Sequence, residues 1–287
     1  MKHIHVFTSA DKGYWFKTIS EIRLIYHFSK KTLDISLDFS ENIKKNEITP
    51  SHLVSYACLI QELKNHGHNV YQLYKNEEIA NYIYNDLGFK YYFSLKENHV
   101  KSSQNNVLNL WRIVPNEVES YARDTTDYFK LKFFKGKDTT QILYTLLESY
   151  YNVLDHADAG NNAFSLVQYL EDQRKIYVAI SDFGIGIKRS VQTVVPTITT
   201  DIEALQKASE MNFTVKSKSH NGGKGISNIL DMSTRANILS GEAMLYKFND
   251  VIKYYELDFS YLGTLIYCTI DVNSMPDDEV LTQFEIG

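Results

Sequence analysis

The chain has 287 residues, 44% hydrophobic and 23% charged, which supplies apolar surface for two folded domains or one large one. A formal net charge of −5 provides no general basic field for nucleic acid, and no apolar run is long enough to span a membrane. The start, MKHIHVFTSADKGYW, lacks the apolar core of a secretory signal, and the only cysteines, Cys58 and Cys268, each lie in an apolar segment; a reducing cytoplasm without a disulfide framework is expected.

In chain order, Leu33 to Phe39 alternates apolar and polar residues as a half-buried strand does. Thr49 is placed to cap a helix that Pro50 opens, with Leu53, Val54, Ala57, Ile60 and Leu63 at helical spacing and Gly67 at its end. A short strand at Val70–Tyr74 and a helix at Glu77–Leu87, closed by Gly88, complete a βαβα unit. The polar run from Lys96 to Asn109 marks a boundary between a domain at 1–105 and a second at 106–287. There, Asp138 is placed to cap a helix running through Glu148, with Gln141 completing a capping box. Ala163–Tyr169 and Lys175–Ser181 read as strands around the polar turn Glu171–Arg174. Residues of about 187–224, with a helix at Asp201–Ser209, read as a mobile lid. A helix is expected from Gly225 to Ile238, stopped by Gly241, then strands at Ala243–Phe248, Ile252–Phe259 and Gly263–Val272, and an acidic, loose tail from Asn273.

Three patterns carry chemistry. Glu148, Asn152, Asp155 and His156 stand at offsets of four, three and one, near one polar face of a helix whose other stripe (Ile142, Leu146, Tyr150 and neighbours) is apolar. The Asn152 carboxamide oxygen suits a hydrated magnesium ion, and Glu148, one turn earlier, suits a base acting on water. His156 is a candidate to position Glu148 or contact phosphate, with packing as the plain alternative. Asp182 precedes Gly184 and Gly186, which let backbone approach a flat ring while the carboxylate accepts from an adenine amino group. Gly222, Gly223 and Gly225 lead into a helix whose free N–H groups favour phosphate, with Lys224, Lys216 and Lys218 adding positive charge. Each motif alone is an ordinary turn or helix face; their order is the one a single ATP site requires.

On these residues the chain from about 110 to 273 resembles the GHKL superfamily (gyrase, heat-shock chaperone, histidine kinase, MutL) and its Bergerat ATP-binding fold. The likeness implies a metal-binding N-box Asn at Asn152 and, in some branches, a catalytic Glu at Glu148. It implies a G1 box at Asp182–Gly186, a G2 box at Gly222–Asn228, and a Thr assisting at the adenine, here Thr264. It implies an α+β architecture, a Bergerat-type α/β sandwich with helices on one face of a mostly antiparallel sheet, with ATP and magnesium as cofactors. The N-terminal βαβα unit resembles STAS domains by pattern. Switch members of that family carry a phosphorylatable residue at a helix start, where Thr49 and Ser51 stand here; plain capping is the competing explanation.

No dimerising hairpin with an acceptor His is evident before the second domain, since His99 lies in polar sequence, and only a short tail follows the last predicted strand. A regulatory ATPase or nucleotide switch is therefore expected. The alternatives are an anti-sigma-like serine/threonine kinase acting on a STAS-type partner, to which Glu148 through His156 is similar, and a non-catalytic nucleotide-binding module. Asp155 is closer to the gyrase and chaperone branch. The expected partners are ATP and a regulatory protein, with no nucleic acid or membrane and with homodimerisation left open.

Overall fold

The computed structural model describes residues 2–87, 89, 106–211, 213 and 225–278. These form a mixed α/β fold with two sheets: a parallel one of three strands and an antiparallel one of five.

The first sheet is ordered β1 (Lys2–Phe7), β2 (Asp34–Phe39), β3 (Asn69–Tyr74), joined by α1 (Lys12–His27) and α2 (Pro50–Asn65). β1 and α1 precede the expected βαβα unit. Asp11 caps α1 by accepting from Tyr14 N at 2.9 Å, and Trp15, Phe16, Ile19, Ile22 and Tyr26 form its buried stripe. α2 starts at Pro50 as read, with Thr49 N donating to His52 Nδ1 at 3.0 Å. It is buried almost all round, since α1 flanks it and the strands Ala163–Leu170 and Lys175–Asp182 of the other sheet lie against it. Ser51 is fully buried, with its hydroxyl 3.1 Å from the Tyr177 hydroxyl, so capping and packing, and no accessible phosphoacceptor, explain its presence. After β3 the helix α3 (Glu77–Asn81) is shorter than expected and passes into a π turn over Tyr82–Asp86; Gly88 lies outside the described residues.

The second sheet is ordered β4 (Val107–Arg112), β5 (Ala163–Leu170), β6 (Lys175–Asp182), β8 (Val251–Asp271), β7 (Arg235–Phe248). On one face lie α4 (Val118–Phe133), α5 (Thr140–Asn152), α6 (Gly186–Gln192), α7 (Asp201–Ser209) and α8 (Gly225–Met232). Across β5, β6 and the C-terminal half of β8 both faces are buried, which separates the strand residues by parity. Val167, Ile176, Val178, Ile180, Ile266 and Ile270 pack with these helices, while Phe164, Leu166, Tyr177, Ala179, Leu265 and Tyr267 share a core with α1 and α2. Helices on one face were expected; the N-terminal unit covers the other.

Two of these expectations need correction. The helix from Gly225 ends at Met232, and Arg235–Ile238 begins β7, which runs through Gly241. The two later strands are one, β8, and Cys268 is buried on that strand between β6 and β7. Within the span expected to form the lid, α6 and α7 place Ile187, Val191, Ala204 and Leu205 in the core, because their apolar spacing gives each helix a buried side. Residues 214–224 lie outside the described set, as does the tail from residue 279. No helix among the described residues is long and apolar enough to cross a membrane.

Candidate functional site

α5 begins after Asp138, whose Oδ1 accepts from Thr140 N at 2.9 Å; Gln141 is not part of that cap and donates to the Met232 carbonyl instead. Ile142, Leu146 and Tyr150 bury one stripe of α5 and bring Glu148 and Asn152 toward α8. Glu148 Oε1 accepts from Asn228 Nδ2 of α8 at 3.0 Å. Its Oε2 and the Asn152 Nδ2 are buried without a hydrogen-bond partner among the described residues. Burial pushes the Glu148 carboxyl above its usual range, against the opposing Asn228 bond. After Asn152 the α-helix gives way to a π turn over Val153–Ala157, ended by Asp158 at φ 49°. This change of register turns Val153 and Ala157, and not Asp155, toward the cleft described below; the side chain of His156 lies outside the described residues.

β6 carries Asp182 to the end of the sheet, where it pairs in register with Thr264 of β8. Asp182 Oδ1 accepts from Gly184 N at 2.9 Å, which tightens the turn, and Ile185 N donates to the Ala157 carbonyl at 2.7 Å. A Cβ on Gly184 would lie 1.8 Å from that carbonyl oxygen, so only glycine lets the turn sit on the π turn. Gly263 approaches from the other side at φ +105°, with its missing Cβ leaving room for the Asp182 carbonyl. Asp182 is 2% exposed. Burial lifts its carboxyl to about 6, opposed by the Gly184 N–H, by the Thr264 N–H and hydroxyl, and by Arg23.

These pieces meet. Asn152, Asp182, Gly186, Gly225 and Thr264 line one cleft, together with Val153, Ile180, Val191, Phe213 and Ile266 among others. An apolar floor with a few convergent polar groups is the usual form of a small-molecule site. Gly225 opens α8, and a Cβ there would come within 3.9 Å of Asn152 Oδ1, so the helix entrance faces the carboxamide. Glu148 stands behind this wall and does not line it. Gly222, Gly223, Lys224, Lys216 and Lys218 lie outside the described residues.

Sequence reasoning missed four contributors. Asn228 fell inside the glycine-loop motif without a role. Ser240 Oγ accepts from Ile187 N and donates to the Gly263 carbonyl, both at 2.8 Å, tying α6 to β8 under the cleft. Asn162 accepts from Phe183 N at 3.0 Å through its carbonyl and donates from Nδ2 to Glu62 Oε2 at 3.1 Å. Arg23, from α1, is the least expected. Its guanidinium donates to the carbonyls of Phe183 (3.2 Å) and Leu262 and to Glu62 Oε1 (3.2 Å), and lies 4.2 Å from the centre of the Phe183 ring. The N-terminal unit thus holds the back of the Asp182 turn. No local spacing signals a contact made across 160 residues.

No protein-family model matches this chain, and no curated protein matches it in sequence.

Proposed function

We propose that this protein is a magnesium- and ATP-binding regulatory ATPase, or nucleotide-dependent switch, of the GHKL superfamily, with a Bergerat-type domain over residues 106–287 behind a STAS-like N-terminal unit. The observation that carries this is the convergence on one cleft of Asn152, Asp182, Gly186, Gly225 and Thr264, which stand far apart in sequence and were singled out by motif. Residue chemistry supports the fit. Asn152 Oδ1 is a hard oxygen beside the space left by Gly225. Magnesium, when bound, would offset the negative charge of the phosphates.

The roles of the chain's own groups follow. Asn152 would offer its carboxamide oxygen to the metal. Glu148, raised by burial and held through Oε1 by Asn228, keeps Oε2 to accept a proton. Asp182, fixed by the Gly184 N–H, would accept from an adenine amino group, with Thr264 beside it in register. The first N–H groups of α8 would face an anion. ATP labelled on its terminal phosphate tests the reading: free phosphate in a Glu148-dependent reaction is expected of an ATPase. Label on a partner's serine would favour the kinase alternative, and neither product would leave a binding module. Absence of nucleotide binding would overturn the proposal.

A further inference from the structure

α1 and α2 end side by side, and the residues at those ends belong to none of the groups above except through Glu62. His27 is the last residue of α1; Glu62 and His66 stand four apart on α2 and its C-cap, hence on one face. One ligand-capable atom from each of His27, Glu62 and His66 lies within 4.8 Å of the other two. We propose that these three side chains form a binding site for a divalent transition metal of the zinc, cobalt or nickel type.

Four observations carry this. His27 Nδ1 is shielded from solvent, has no hydrogen-bond partner among the described residues, and stands 3.5 Å from Glu62 Oε1. That is already near the roughly 3.3–3.6 Å separating two ligands of a tetrahedral ion bound at about 2.0–2.2 Å. His66 Nδ1 is 2.9 Å from the Glu62 backbone carbonyl; as the donor there it leaves Nε2 with the ring's free lone pair, the orientation that ligating histidines commonly use. Glu62 is held from behind, by Asn162 on Oε2 and Arg23 on Oε1, so its carboxylate is preset and not a free rotor. Both helices also present their negative dipole ends here, which favours a cation. Two imidazoles and one carboxylate select zinc-like ions over magnesium, and half-exposed His27 and His66 leave a coordination position for water. Glu62 also grips Arg23, which grips the Asp182 turn, so the ion would sit two side chains from the cleft.

The test is cobalt(II) titration of the full chain in excess magnesium without nucleotide, followed by visible absorption, with zinc as competitor. The wild type is expected to bind one equivalent with the intense bands of a four- or five-coordinate ion, and zinc should erase them. His27→Ala and His66→Ala should each weaken binding by about 100-fold or more, beyond what loss of an outer-shell partner alone costs. The double variant His3→Ala/His5→Ala removes two histidines that stand two apart on β1 and should bind as the wild type does. Absence of stoichiometric binding overturns the site. So do bands that persist in both single variants, or bands lost in the β1 double variant. Circular dichroism of the two single variants separates lost ligation from lost fold: absent bands support the site only where the spectrum is native.

Discussion

Replacing Arg23 by Met tests whether the N-terminal unit supports the cleft. Arg23 is 6% exposed, and its removal strands the Glu62 carboxylate and two backbone carbonyls at Phe183 and Leu262. Breaking a buried ion pair from one side costs about 3–5 kcal/mol, because the remaining charge stays buried. Glu62 keeps the Asn162 amide, which places the expected loss at the lower end, about 3 kcal/mol. Arg23→Met/Glu62→Met strands no charge and should lose less than the single variant does. Urea unfolding followed by tryptophan fluorescence reads this out, since Trp15 reports the core on the α1 side and Trp111 the core on the helix side. Nucleotide affinity should fall in the same variant as the Phe183 carbonyl is released. A loss under about 1 kcal/mol, or a double variant worse than Arg23→Met, would refute this reasoning.

Other predictions follow from the same geometry. Asp182 has its carboxyl lifted from 3.8 to about 6, so the fold favours its protonated form. That relative stabilisation is complete below about 4 and is lost as pH rises through about 6, whereas an ionised acceptor for adenine exists only above about 6. ATP affinity should therefore be flat from pH 7 to 8 and about tenfold weaker at pH 5; a flat profile down to pH 5 would remove Asp182 from the adenine. Asp182→Asn should raise the unfolding midpoint at pH 7 while weakening the choice of ATP over GTP. Glu148→Gln should bind as the wild type and lose about 10²–10⁴-fold in phosphate release, and unchanged turnover would exclude Glu148 as the proton acceptor. Gly263→Ala would place a Cβ 2.2 Å from the Asp182 carbonyl oxygen at φ +105°, and a loss of about 3 kcal/mol in urea unfolding is expected.

The α5 stripe, the α7 span and the β5–β6 hairpin follow from periodicity and turn residues within one window. β1 was missed because its pattern is inverted: Ile4 and Val6 are 59% and 42% exposed on an edge strand, while His3, His5 and Phe7 take the inner side, with His5 2.7 Å from the Tyr26 hydroxyl. β7 imitated a helix because Ala236, Ile238 and Leu239 are buried on both faces of the sheet and Gly241 resembles a helix stop. Gly241 instead sits where the β7–β8 register shifts, at φ +61°, and the Asp201 carboxylate occupies the space a Cβ would need. The cleft's first residues were visible because its motifs are short. Arg23, Glu62, Asn162 and Ser240 were not, because their partners lie on other elements and nothing in their own windows marks them.

The most direct measurement is calorimetric titration of ATP with magnesium into the wild type and Asn152→Ala at pH 7.5. One site per chain is expected in the wild type, magnesium-dependent and stronger for ATP than for GTP, and no measurable binding in Asn152→Ala. Equal affinity in the two proteins, or no heat from either, would contradict the assignment of the cleft.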